Sequence, residues 1–249
     1  PMRFGLDRRR LLAGALGGLV VAGGARAAER SLYVAMRDGV RIALDVVPAA
    51  GGFGVRGPTL VEATRYGRAD RDPARVAQLS QAGLHQVYAD ARGTGVSTGW
   101  RPIEFSEAEV QDLGELIDWI VRQPWSDGKV AFTGNSYAGD TSELATASGR
   151  PGLVGAVIRH SEFDVYRHLI FPGGVRNAMM LELWGKAVGE ADLAEACLGA
   201  ASACKGLDQV KPVDGDADYV QARAALGDHQ LNSRPDRHFG GMVFYDDVG

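Results

Sequence analysis

A chain of 249 residues that is 45% hydrophobic and 23% charged has the make-up of a globular protein, with apolar material for one good core or for one domain and part of another. Its net charge of −4, with no basic stripe after residue 30, argues against nucleic acid as a partner. Two cysteines and five scattered histidines offer no metal-ligand spacing, so no metal site is expected.

At the N-terminus, Arg8-Arg9-Arg10-Leu11-Leu12 leads into a glycine-rich apolar run ending at Ala25, and Ala25-Arg26-Ala27 places small residues at the two positions a signal peptidase reads. Arginines followed by two leucines resemble a twin-arginine signal, which implies export of an already folded protein to the periplasm or beyond. A membrane anchor is the competing reading. About 15 apolar residues fall short of the roughly 20 that span a bilayer, so no stable span is expected after cleavage.

Leu32–Met36 and Val40–Val47 read as two β runs joined by Arg37-Asp38-Gly39, since Asp-Gly suits the positive dihedrals of a hairpin turn. After a glycine-rich loop, Thr59–Ala63 is a short apolar strand, and Tyr66 follows its C-terminal end, where open α/β sheets bind ligands. Asp72–Gln81 reads as a helix with Pro73 in its first turn, and Leu84–Ala89 as the next strand. Gly93, Gly95 and Gly99 invite a nucleotide-binding reading, but Trp100-Arg101-Pro102 follows where a dinucleotide fingerprint must open a helix, and no Gly-Lys-Ser/Thr occurs; no cofactor is expected. Ser106 and Glu109 have capping-box spacing before a helix with Val110, Leu113, Ile117, Ile120 and Val121 on one face.

Pro124 then delivers the chain into Lys129–Thr133, a β run ending at Gly134-Asn135-Ser136-Tyr137-Ala138-Gly139. A serine there matches the nucleophile elbow, a strained strand-to-helix turn that lifts the hydroxyl above the sheet edge. The pattern G-x-S-x-G is missed by one position, with Ala138 where the last glycine belongs and Gly139 after it. Serine in an ordinary glycine-rich turn is the bland alternative. Leu153–Ile158 reads as a further buried strand, Leu169–Gly174 as apolar loop, Ala178–Val188 and Asp192–Ala203 as helices, and Gly241–Tyr245 as one late strand candidate. Cys197 and Cys204 would lie about 10 Å apart along a helix, beyond disulfide reach, but could pair in a loop. Strands alternating with helices imply a mostly parallel sheet covered on both faces.

Three ordered blocks, Met36-Arg37-Asp38-Gly39-Val40-Arg41, Asp90-Ala91-Arg92-Gly93-Thr94-Gly95-Val96-Ser97 and Gln123 to Gly139, resemble the CocE/NonD hydrolases, relatives of Xaa-Pro dipeptidyl-peptidases, cocaine esterase and α-amino-acid ester hydrolases. The resemblance covers roughly residues 31 to 185. It implies an α/β-hydrolase fold in which the signal peptide read above (1–27) is followed by the N-terminal part of the hydrolase domain (28–165) and the start of a helical cap (166–249). It further implies a serine hydrolase that cleaves a small-molecule ester or amide, or a peptide, through an acyl-enzyme on Ser136, without a cofactor. Oxyanion donors would be the Tyr137 backbone N–H and, by resemblance, the Tyr66 hydroxyl, although Arg65 stands where the family often has proline. Glu162 and Asp164 could offer a carboxylate to a substrate ammonium group; capping of the following helix is the alternative. The other class left open is an exported binding protein that keeps the fold without a working triad. Oligomeric state and acyl specificity are not legible.

In α/β-hydrolase order the triad acid and histidine follow the serine. His160 and His168 come too early, His229 and His238 fall in the expected cap, and Asp218 with His238 is the only internal pairing in the right order. The chain is therefore expected to lack its acid and base, to be inactive alone and to leave a sheet edge uncovered. The signal makes a direct prediction: N-terminal sequencing of the exported form starts at Ala28, and recovery of the intact N-terminus only in the cytoplasm would refute it.

Overall fold

The computed structural model describes residues 29–192 and 210–245. The N-terminal signal, both cysteines and the helix expected over Asp192–Ala203, apart from Asp192 itself, lie outside the described residues. Strands β1 (Arg30–Ala35) and β2 (Arg41–Val47) pair antiparallel around the Asp-Gly turn, where Gly39 takes φ 85° and the Asp38 carboxylate accepts the Val40 N–H at 3.2 Å. β3 (Gly57–Thr64), β4 (His85–Asp90), β5 (Ser126–Asn135) and β6 (Leu153–Arg159) complete a six-stranded sheet of order β1-β2-β4-β3-β5-β6. β2 runs antiparallel to β4, and all later pairings are parallel.

Alternation along the strands decides which helix covers which face. Ile42, Leu44, Val46, Val61, Val87 and Ala89 point to one side and form a single core with Leu113, Leu116, Ile117 and Ile120 of α2 (Glu107–Val121) and Ala145 of α3 (Tyr137–Ala147). On the other side, Ala43 and Val96 pack with Ala222 and Leu226 of α5 (Val220–His229). There too the Gln86 amide donates to the Val76 carbonyl and the Ser80 hydroxyl of α1 (Pro73–Gln81). α1 opens as expected, with Asp72 accepting the Ala74 N–H at 2.9 Å ahead of Pro73.

Three expectations change. The buried stripe of α2 is turned toward Leu116: Val110 is only half-buried and Val121 is 37% exposed, because α3 and the sheet meet the helix from the Leu113–Leu116–Ile120 side. β6 is not a buried strand. It lies at the sheet edge with Val154, Val157 and Ile158 exposed. Gly241–Tyr245 forms no strand, since a single 3-10 turn over Phe239–Gly241 follows the short α6 (Pro235–His238). The apolar segment after β6 coils into a π-helical turn, Val165–Ile170, and a 3-10 turn, Pro172–Gly174, before α4 (Ala178–Asp192). No helix among the described residues is long and apolar enough to cross a membrane.

The glycine loop after β4 wraps a carboxylate. Asp90 accepts from the N–H groups of Val96 (3.1 Å) and Arg68 (2.7 Å) and pairs with the Arg68 guanidinium at 2.7 Å, so a Cβ on Gly95 would lie 2.3 Å from that carboxylate.

His85 pins the start of β4 to the loop between β2 and β3, its Nδ1 accepting the Ala49 N–H at 3.1 Å while Nε2 lies 2.9 Å from the Val55 carbonyl. Nδ1 can accept only in the neutral ring, and burial holds the ring's pKa below the ordinary value. A depressed histidine contributes stability that is whole above its unfolded pKa of about 6.5 and is lost as pH falls below it. Asp140, pushed up by burial, acts in the opposite sense. The informative measurement is therefore the difference between wild type and His85→Gln: that difference in unfolding free energy should shrink as pH is lowered from 7.5 to 5, and a pH-independent difference would refute the assignment.

Candidate active site

The candidate site lies where β5 stops. Ser136, the residue between β5 and α3, takes φ 56° and ψ −130°, a conformation that costs an L-residue about 1–3 kcal/mol. The surrounding backbone over-determines it. The Ser136 N–H donates to the Arg159 carbonyl of β6 at 3.0 Å, its carbonyl accepts the Asp140 N–H at 3.0 Å, and the Thr141 hydroxyl ties α3 to the Ala63 carbonyl at 2.7 Å. Strand and helix touch through backbone, for a Cβ on Gly134 would lie 2.0 Å from the Ala138 carbonyl oxygen, and one on Gly139 2.4 Å from that of Arg159. The departure from G-x-S-x-G is thereby explained: the second position that excludes a side chain is 139.

Ser136 is exposed and faces a shallow open cleft lined by Tyr66, Phe105, Tyr137, Asp140, Glu162, Leu169, Met180 and Trp184. Tyr66, two residues past the end of β3, reaches this cleft, its ring edge-on to that of Tyr137 at 5.9 Å and its hydroxyl accepting the Trp184 indole N–H at 3.1 Å. Burial raises the Tyr66 phenol above its ordinary value, so it remains protonated and able to donate. The N–H of Tyr137 is the first of α3 and has no partner within the helix by construction. Glu162 lines the cleft and its N–H donates to the Asp140 carboxylate at 2.9 Å. Asp164 does not line it; its carboxylate caps the π-helical turn, accepting the Arg167 N–H at 2.9 Å.

Beneath the cleft is a buried charge network that sequence reasoning missed. The Tyr137 hydroxyl donates to Glu109 at 2.6 Å and accepts from Arg101, whose guanidinium also meets Glu104 and Glu109; Glu104 in turn pairs with Arg65. Burial keeps the Tyr137 phenol well above its ordinary value. Ser106 does cap α2, but the Glu109 carboxylate turns inward to Tyr137 and Arg101 instead of returning to close a capping box. That spacing was itself misleading, and Arg101 and Glu104 carried no periodic signal. Asp140 was also missed, as an ordinary first-turn acid of α3. Burial pushes its carboxyl up to about 7, with Glu162 and Glu143 adding to the rise.

Among the described residues no histidine lines the cleft. His160 and His168 are exposed, His229 is buried against the Ser97 carbonyl at 2.7 Å, and His238 stacks edge-on with Phe239; Asp218 is exposed.

A mostly parallel sheet with a strained serine at a strand-to-helix turn and helices on both faces defines an α/β-hydrolase architecture. Residues 38–238 match the X-Pro dipeptidyl-peptidase (S15) family, and the chain belongs to that family. It is 34% identical over 241 residues to a putative serine esterase of Mycobacterium bovis, covering 88% of this chain and 38% of the relative. It is 30% identical over 206 residues to the cocaine esterase of a Rhodococcus species, covering 80% and 33%. A CocE/NonD family hydrolase from Staphylococcus aureus superposes on 64% of this chain and 32% of its own, with TM-score 0.58 at 21% identity. The chain thus spans less than two fifths of the length of the curated relatives it matches.

The contacts at 134 and 139 give the next prediction. Gly134→Ala and Gly139→Ala should each destabilise the fold by about 3 kcal/mol, because the obstructing atoms are backbone and the site cannot yield cheaply. Urea unfolding would measure this; a loss below about 1 kcal/mol at either position would contradict the packing described.

Proposed function

We propose that the chain carries the nucleophile region of an exported serine hydrolase that cleaves small-molecule esters or amides, or peptides, through an acyl-enzyme. The observation that carries this reading is the meeting, in one cleft, of a serine at positive φ, the first N–H of α3 and a protonated tyrosine hydroxyl. The Ser136 oxygen attacks the substrate carbonyl as a base removes its proton. The negative charge that forms on the carbonyl oxygen is met by the Tyr137 N–H and the Tyr66 hydroxyl. Collapse expels the alcohol or amine with a proton returned from the base, and water then releases the acid. Among the described residues no histidine lines the cleft, so in this reading base and acid come from outside them.

The lining also bears on the substrate. Tyr66, Phe105, Tyr137 and Trp184 supply aromatic surface, the acids there are Asp140 and Glu162, and among the described residues no basic side chain lines the cleft. That combination favours an apolar acyl group carrying an ammonium, whose charge would favour the ionised form of the Asp140 carboxyl that burial opposes.

The test uses the full-length protein. Ser136→Ala should abolish labelling by a fluorophosphonate, and Tyr66→Phe should lower kcat on an activated ester about a hundredfold, the usual loss for one oxyanion donor. Labelling that survives in Ser136→Ala would mean that another residue is the nucleophile, a wild type that takes no label would be a binding protein that merely keeps the fold, and unchanged turnover in Tyr66→Phe would remove that hydroxyl from the mechanism.

A further inference from the structure

The Tyr66 hydroxyl and its neighbour Arg65 are both held from the same helix. Trp184 of α4 donates its indole N–H to the Tyr66 oxygen at 3.1 Å, and Asp192, at the end of α4, lies 3.2 and 3.3 Å from Nη2 of Arg65. Arg65 is buried, and its other terminal nitrogen meets Glu104 of the network under Tyr137. The two residues that follow β3 are therefore clamped between α4 and the base of the elbow.

The direction of the indole bond matters. An indole nitrogen donates and never accepts, so the phenol oxygen must spend a lone pair on it and turn its own hydrogen elsewhere. Both partners also have ring neighbours: the Tyr66 ring lies 5.9 Å from that of Tyr137 at 72°, and the Trp184 indole is stacked on Phe239 at 6.3 Å and 15°. Tyr66 is 47% exposed and lines the cleft that holds Ser136, so a phenol hydrogen turned away from the indole can be presented there.

We propose that Trp184 is a positioning residue: its N–H fixes the rotor of the Tyr66 hydroxyl so that the hydrogen is presented to the cleft, and polarises that O–H toward donation. This rests on the reading of Tyr66 as an oxyanion donor. Hydrogen bonds in a chain strengthen one another, so a phenol that accepts from the indole donates more strongly to a developing oxyanion. Helix α4 thereby enters the chemistry through Tyr66, without a group of its own on the reacting atoms.

The experiment is a double-mutant cycle in the full-length protein on an activated ester, with Trp184→Phe, Tyr66→Phe and the pair. Phenylalanine keeps a ring against Phe239 and removes the donor. Trp184→Phe should lower kcat about tenfold with KM within about twofold, and should have no further effect once Tyr66 is Phe, because both substitutions remove the same interaction. A second measurement is independent of turnover. With 3-fluorotyrosine at position 66, the fluorine resonance reports ionisation of that phenol, and loss of an N–H donor that favours the phenolate should move its midpoint upward in Trp184→Phe. Unchanged kcat in Trp184→Phe where Tyr66→Phe is impaired, a loss that adds fully to that of Tyr66→Phe, or an unmoved fluorine titration would each overturn the proposal. If Tyr66→Phe itself has no effect on turnover, the oxyanion reading fails, and the titration still decides whether Trp184 holds the hydroxyl.

Discussion

The structure hangs on one close approach, the contact of the α3 backbone with the ends of β5 and β6. Two glycines, 134 and 139, let main chain meet main chain where any Cβ would collide with a carbonyl. That contact stores the strain of Ser136, because its N–H and carbonyl are both engaged and φ 56° cannot relax without giving up bonds to Arg159 and Asp140. The sheet order follows the same need. β5 and β6 must lie side by side and parallel, ending at the same level, for α3 to rest on both.

Under the elbow, Arg101, Glu104, Glu109, Arg65 and Tyr137 form a set of buried charges that burial alone would penalise by several kcal/mol per ion. The carboxylates sit between guanidinium groups, and the Tyr137 hydroxyl joins the set as both donor and acceptor. Their contribution is better understood as geometric than as stabilising. The network links the loop after β3, the loop after the glycine turn, the first turn of α2 and the first residue of α3, alongside the ring contacts of Tyr137 with Tyr66 and Phe105. In the proposed mechanism these segments carry the two oxyanion donors, so rigidity there bears directly on catalysis.

The two edges of the sheet differ in kind. At the β1 side the chain is closed off by charge, with Asp45 meeting Arg68, Arg71 and Lys211 so that the segment after residue 210 is stitched to β2. At the β6 side Val154, Val157 and Ile158 are exposed on a strand that pairs only with β5 among the described residues. An edge of that character is an association surface unless something covers it.

The elements written in local signals were legible from sequence. The Asp-Gly hairpin, the Asp72 cap before Pro73, the Ser106 cap and the small residues flanking Ser136 each reflect a rule that acts within a few residues, and each element formed where those rules put it. The α/β-hydrolase architecture followed from the alternation of strands and helices together with three ordered motif blocks. Features that depend on what lies across the fold needed the tertiary structure. Glu109 had the spacing of a capping residue, yet its carboxylate was claimed by Arg101 and Tyr137, 8 and 28 residues away. Val121 fitted the helical period, yet it faces outward because packing against α3 rotated the buried stripe. β6 read as a core strand from its apolar run, but burial is decided by neighbours and not by composition. Trp184 reaches Tyr66 across 118 residues, a pairing no local pattern encodes, since only the tertiary placement of α4 brings the indole to the phenol.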